Sequence, residues 1–133
     1  MRVKKVSENT LQIGDIVTGI AKTGKYIGEI TNIRPQHYLV KIKAVLKHPL
    51  QGDLHAPKEV NVPIFHERRA LAFNEQTNIP LKMVRPYEGE IPSYEKSLHD
   101  ALNKAVQELE TDNSEWAKRS LENLAILKID YFK

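Results

Sequence analysis

Apolar positions recur with two different periods along the chain, and the period changes near residue 92. Before that point, alternation with period two dominates, the mark of strands with a covered face. Gly14-Asp15 opens the first predicted strand, residues 16–21. Thr23-Gly24 then reads as a tight hairpin turn, with Gly24 supplying a positive φ at no steric cost. The second strand, residues 25–33, carries Ile27 and Ile33 on one parity and Tyr26 and Ile30 on the other, so both faces are predicted to be covered in places. Gly28 inside it points to a bulge or a sharp bend. Arg34-Pro35-Gln36 is the next turn, and residues 37–46 form the cleanest strand. There Tyr38, Val40, Ile42 and Ala44 share one face and Lys41 and Lys43 the other. Pro49, Gly52 and Pro57 break the stretch that follows. Val60, Val62 and Ile64 alternate again, with Pro63 restricting that piece to an edge or a bulge. Residues 69–73 read as a strand, although Phe65, Arg69 and Phe73 also share a helical face. Asn78-Ile79-Pro80 is predicted to turn the chain and residues 83–85 to form a short last strand, while MRVKKV at the start reads as a frayed arm or a short first strand.

Past the linker EGEIP, residues 88–92, the spacing becomes helical. Ser93 is a good N-cap, because its hydroxyl can take a free N–H of the first turn. Tyr94, Leu98, Ala101, Leu102, Ala105 and Leu109 then form an apolar stripe. ETDNS interrupts it, and Asp112 or Ser114 caps a second helix striped by Trp116, Leu121, Leu124, Leu127 and Tyr131. Neither helix could bury its stripe alone, so the two are predicted to pack as an antiparallel hairpin and against the strands. The hairpin also leaves a homodimer open. Five or six short strands with tight turns argue for a small barrel or sandwich. The predicted fold class is α+β: a β-barrel domain over residues 1–90, then a C-terminal two-helix antiparallel hairpin over residues 93–133.

Composition narrows the chemistry. A chain of 133 residues suits one compact unit or a domain with an appendage. None of them is a cysteine, which rules out disulfides, thiolate metal ligands and a cysteine nucleophile within this sequence. There is no apolar run of membrane-spanning length, roughly 18–20 residues, and the basic start lacks an apolar core and cleavage site, so a cytoplasmic protein is expected. The net charge of +3 divides into +5 over residues 1–92 and −2 over residues 93–133. A basic body with an acidic tail could dock on an anionic partner, but a division of this size more often reflects two substructures with different surfaces.

The candidate chemistry concentrates in residues 47–73, KHPLQGDLHAPKEVNVPIFHERRALAF. A long, chemically mixed excursion between strands is where such domains carry a contact surface. Its predicted partner-binding residues are His48, Gln51, Asp53, His55, His66, Glu67, Arg68 and Arg69. Arg68 or Arg69 can present a planar fork to a partner carboxylate, or can hydrogen-bond carbonyls of the arm itself. The histidine spacings match no compact metal motif, so no metal or other cofactor is expected. Gly19, Gly24 and Lys25 imitate part of a P-loop, but Tyr26 stands where the magnesium-binding hydroxyl belongs and no helix follows. With no GxSxG either, the chain is not expected to be an enzyme. An RNA-binding barrel is the alternative, through Lys41, Lys43, Lys47, Lys58, Arg68 and Arg69. Aromatic residues at 7% offer few stacking platforms for it, so nucleic acid is not the favoured partner.

Several ordered blocks carry a resemblance. GDIV to GE (14–29) and IPLKMV (79–84) resemble an SH3-like barrel, the latter its short helical turn before the last strand. GDIVTGIAKTGKYIGEI, AVLKHPLQGDLH, PIFHERRALAFNEQTNIP and YEGEIP together resemble the kinase-associated protein B family, from about residue 13 to 92 and loosely beyond. That resemblance implies a non-enzymatic accessory protein that binds a sensor histidine kinase and promotes its activity in the sporulation phosphorelay. The family is also called kinase-associated lipoprotein B, a label that implies a lipid-modified cysteine. None stands in this sequence, so membrane association is expected only through a partner at the inner face of the membrane.

Overall fold

The computed structural model describes residues 11–133, so the arm or strand expected of residues 1–6 lies outside the described residues. Five strands form one antiparallel sheet in the order β4-β3-β2-β1-β5. They are β1 (Ile16–Ala21), β2 (Gly24–Ile33), β3 (His37–Lys47), β4 (Gln76–Pro80) and β5 (Val84–Pro86). A 3₁₀ turn, Leu81–Met83, joins the last two. α1 (Tyr94–Glu110) and α2 (Glu115–Tyr131) follow as a helical hairpin. The chain is therefore α+β, a barrel-like antiparallel sheet with a C-terminal pair of helices.

The strongest alternation in the sequence is the best buried. Tyr38, Val40, Ile42 and Ala44 of β3 face inward, as their parity predicts. The first three, with Val45, share one core cluster with Val17 of β1, Tyr26 and Ile30 of β2, and Ile79 and Val84 from the sheet's two edges. Gly19 of β1 lies so close to Ile79 of β4 that a Cβ there would stand 2.7 Å from Ile79 Cδ1. β1 and β4 are not hydrogen-bonded neighbours, so this approach shows the sheet curling toward closure. Gly28 marks a register shift between β2 and β3, the predicted bulge. A Cβ at Gly28 would lie 2.6 Å from the Lys41 carbonyl oxygen. Gly28→Ala is expected to push the central strands apart and destabilise by about 2–3 kcal/mol, read as a lower midpoint in urea.

Three local expectations are corrected. The positive φ of the first hairpin belongs to Lys22 (φ 57), while Gly24 sits in β2 packed against the Tyr26 phenol. Residues 60–64 and 69–73 form no strand. β4 pairs with β3 only over His37–Lys41, and farther along the Val45 N–H goes to Ser97 of α1, so the intervening arm adds no strand there. β4 itself covers the Asn78-Ile79-Pro80 step read as a turn. It is an edge strand, where a terminal proline is tolerated.

Both helices begin with serine caps, the expected Ser93 and, of the two candidates Asp112 and Ser114, the serine. Ser93 accepts from the Lys96 N–H, and Ser114 from the Ala117 N–H. α1 lays Leu98 and Ala101 into the sheet's core, and partly buried Tyr131 and Phe132 close it from the end of α2. Ser97 accepts the Val45 N–H at 2.9 Å, tying α1 to the end of β3. A second cluster, Leu102, Leu124 and Leu127, joins helix to helix.

Candidate functional site

The arm between β3 and β4 has no regular secondary structure, so its backbone polar groups must find partners one by one. Gln51 meets most of that demand at its base. Its amide nitrogen donates to the carbonyls of Arg68 (2.8 Å) and Pro49 (3.1 Å). Its amide oxygen accepts from the Arg68 N–H at 2.9 Å and from Asn123 Nδ2 at 3.4 Å. Its own carbonyl accepts from Trp116 Nε1 at 3.0 Å. The Gly52 N–H donates to the His66 carbonyl at 2.9 Å, and Arg68 Nε donates back to the Gly52 carbonyl at 2.9 Å. These bonds latch residues 51–52 to residues 66–68 and hold the whole base against α2. From the latch the tip, residues 53–65, closes the loop. Two cation–π contacts steady it: Lys58 over Trp116 at 5.6 Å and Arg119 over Phe65 at 4.9 Å.

Three tyrosine hydroxyls hold the returning limb where a strand was expected. The Ala70 N–H donates to Tyr131 at 2.8 Å and the Leu71 N–H to Tyr26 at 3.2 Å. Tyr94 donates to the Leu71 carbonyl at 2.5 Å. The phenols come from α2, β2 and α1, so side chains replace a sheet ladder at this point. Burial raises the pKa of Tyr26 and of Tyr94 to about 12, and that of Tyr131 upward as well.

His48 belongs to the same network. A carbonyl can only accept, so Nδ1 carries the proton and donates to Pro49 O at 3.0 Å. Nε2 is then bare and accepts from the Tyr131 hydroxyl at 2.8 Å. This arrangement satisfies the neutral ring completely. Burial lowers the His48 pKa, outweighing the raising effect of its bond to Pro49. The unfolded chain therefore takes up a proton at a higher pH than the folded one does. The stability His48 contributes is complete above the ordinary histidine pKa of about 6.5 and is lost as pH falls below it. Expected is an NMR titration of the His48 ring below pH 6.5 and a thermal midpoint falling over the same range. A ring titrating at or above 6.5 would contradict this account.

The eight residues expected at the contact surface thus separate. His48 and Gln51 are 2% and 5% exposed, so neither offers its side chain to a partner, a correction to the expectation. Both turn inward because the irregular backbone and the Tyr131 hydroxyl need their polar groups. Asp53 is half-buried and accepts the His55 N–H at 2.8 Å, closing its own turn. Arg68 is half-buried in the latch, and exposed Arg69 pairs with Asp130 and lies 5.3 Å over the Tyr131 ring. His55, His66 and Glu67 are exposed. Among the described residues, no three histidine or carboxylate side chains are grouped to hold a metal ion. No helix among them is long and apolar enough to cross a membrane. Of the cations named for the RNA alternative, Lys43 bonds Asn74 and lies over Phe73, and Lys58 lies over Trp116. Sequence reasoning missed Asn123, Trp116 and Tyr131 as supports of the arm. Asn123 carried a signal: it is a polar residue beside Leu124 and one turn before Leu127 on the helix's apolar stripe.

A barrel-like sheet, a helical hairpin and a latched polar arm between them define the kind of protein this is. The chain belongs to the kinase-associated protein B family, whose model matches residues 21–132. It is 62% identical over 124 residues to kinase-associated lipoprotein B of Bacillus subtilis (strain 168), covering 93% of this chain and 97% of that protein. The crystal structure of kinase-associated protein B from Bacillus cereus superposes with a TM-score of 0.79 at 56% identity, covering 92% of this chain and 98% of that one.

Proposed function

We propose that this protein is a non-enzymatic accessory protein that binds a sensor histidine kinase of the sporulation phosphorelay and promotes its activity. The observation that carries the reading is the 62% identity, over nearly the full length, to a protein named for its association with a kinase. On this reading the sheet is an SH3-like barrel acting as a scaffold for the arm. The chain works in the cytoplasm and reaches the inner face of the membrane through its kinase.

The contact surface is the outer part of the arm: Asp53, His55, His66, Glu67, Arg68 and Arg69. His48 and Gln51 serve it from inside. A loop already latched loses little conformational freedom on docking, so more of the contact energy appears as affinity. Promotion of activity follows if the surface fits the active conformation of the kinase better than the resting one.

The test combines pull-down and autophosphorylation with the cytoplasmic part of such a kinase. His66→Ala/Glu67→Ala changes two exposed side chains that make none of the latch's hydrogen bonds, which use the His66 backbone carbonyl, and is expected to weaken binding about tenfold, or ~1.4 kcal/mol, with an unchanged melting temperature. Recovery of RNA without a kinase, or autophosphorylation indifferent to the added protein, would overturn the reading.

A further inference from the structure

Beside the arm runs a groove of about 760 Å³, between the end of β3, the arm's first residues, α1 and α2. Its volume falls in the range of small-molecule sites, roughly 300–1,000 Å³. Apolar side chains supply much of its lining: Leu50, Ala105, Leu109, Trp116 and Leu124. Two features are foreign to a surface that serves packing alone.

The first is Ser120. It lines the groove at 0% exposure, and its hydroxyl has no hydrogen-bond partner among the described residues. A buried hydroxyl is costly when unpaired, and most are paired. The second is charge. Lys25, Lys47, Lys58 and Lys104 also line the groove, and all four are exposed. The carboxylates beside them are Glu108 and Asp112. Asp112 accepts the Ser114 N–H at 2.9 Å and lowers the positive field near Lys58. Among the described residues, Lys25, Lys47 and Lys104 join no carboxylate in a salt bridge. The rim is therefore net positive over an apolar floor that holds one unsatisfied donor.

Ser120 stands one helical turn beyond Trp116, and Lys58 sits over the Trp116 ring. A hydroxyl donor and a cation thus adjoin the same indole. We propose that this groove binds a small amphipathic carboxylate, with its head group accepting from Ser120 and facing the lysines, and its alkyl chain against Leu109 and Leu124. The site is separate from the kinase-binding reading and does not depend on it.

Trp116 is the chain's single tryptophan, so its fluorescence reports directly on the groove. The experiment titrates the full chain with decanoate below its micelle concentration, and with decanol as the uncharged counterpart. Decanoate is expected to give a saturable change, with decanol binding at least about tenfold weaker. Lys47→Gln/Lys104→Gln is expected to lose a similar factor. Ser120→Ala is expected to melt no lower than the parent, since it removes an unpaired buried hydroxyl, yet to bind decanoate about tenfold weaker. A structural role alone would not separate those two readouts. No saturable signal with decanoate, or decanol binding as tightly as decanoate, would overturn the proposal.

Discussion

Gln51→Ala is expected to lower the unfolding free energy by about 3 kcal/mol and to free residues 52–68 for amide exchange while the sheet stays protected. The size follows from what the truncation strands. It leaves the Arg68 N–H and the Arg68 carbonyl without the amide that satisfies them, while the Pro49 carbonyl keeps only its bond from His48. Asn123 loses one of its two partners. Each unsatisfied buried group costs about 1–3 kcal/mol, although water reaching an opened arm recovers part of it. Urea unfolding followed with native-state hydrogen exchange checks both parts. A loss under about 0.5 kcal/mol, the range of ordinary surface substitutions, would mean that the latch does not depend on Gln51. On the kinase reading, the same variant should also bind its partner less tightly, because a loosened arm must be ordered again on docking.

The second large effect concerns the hairpin. We propose that sheet and helices unfold together, so residues 1–92 alone are expected to lose the sharp thermal transition of the full chain. Without the helices, the sheet's core loses Leu98 and Ala101, along with the partial cover of Tyr94, Tyr131 and Phe132. The Val45 N–H loses Ser97, and residues 70–71 lose two of their three tyrosine hydroxyls. Burying one large apolar side chain contributes about 1.5–3 kcal/mol, against a total stability of about 5–15 kcal/mol for a small domain. Several such losses at once exhaust that margin. Calorimetry of the fragment decides the matter: a cooperative peak like the parent's would show that the sheet stands alone.

The helices were legible almost to the residue, and so were β1, β2 and β3. In each case the signal is local. Ser93 and Ser114 cap the turns beside them, and the alternation in β3 needs only its own residues to declare a face. The returning limb of the arm was misread. Val60, Val62 and Ile64 alternate as a strand would, yet they pair with none of the five strands. Asn78-Ile79-Pro80 carried turn residues yet pairs with β3, because Ile79 fills the core opposite Gly19 and proline is tolerated on an edge.

The site divides along the same line. Composition and order alone marked residues 47–73 as the part of the chain carrying its unusual chemistry, and the blocks there carried the family resemblance. Which of those side chains faces water was decided elsewhere. His48 turns inward to a hydroxyl 83 residues away, and Gln51 to an asparagine 72 residues away. Periodicity reads a residue against its near neighbours, so it fixes strands, helices and their covered faces. A polar group in an irregular segment takes its direction from whichever distant donor or acceptor the packing brings within about 3 Å, and only the folded chain supplies that partner.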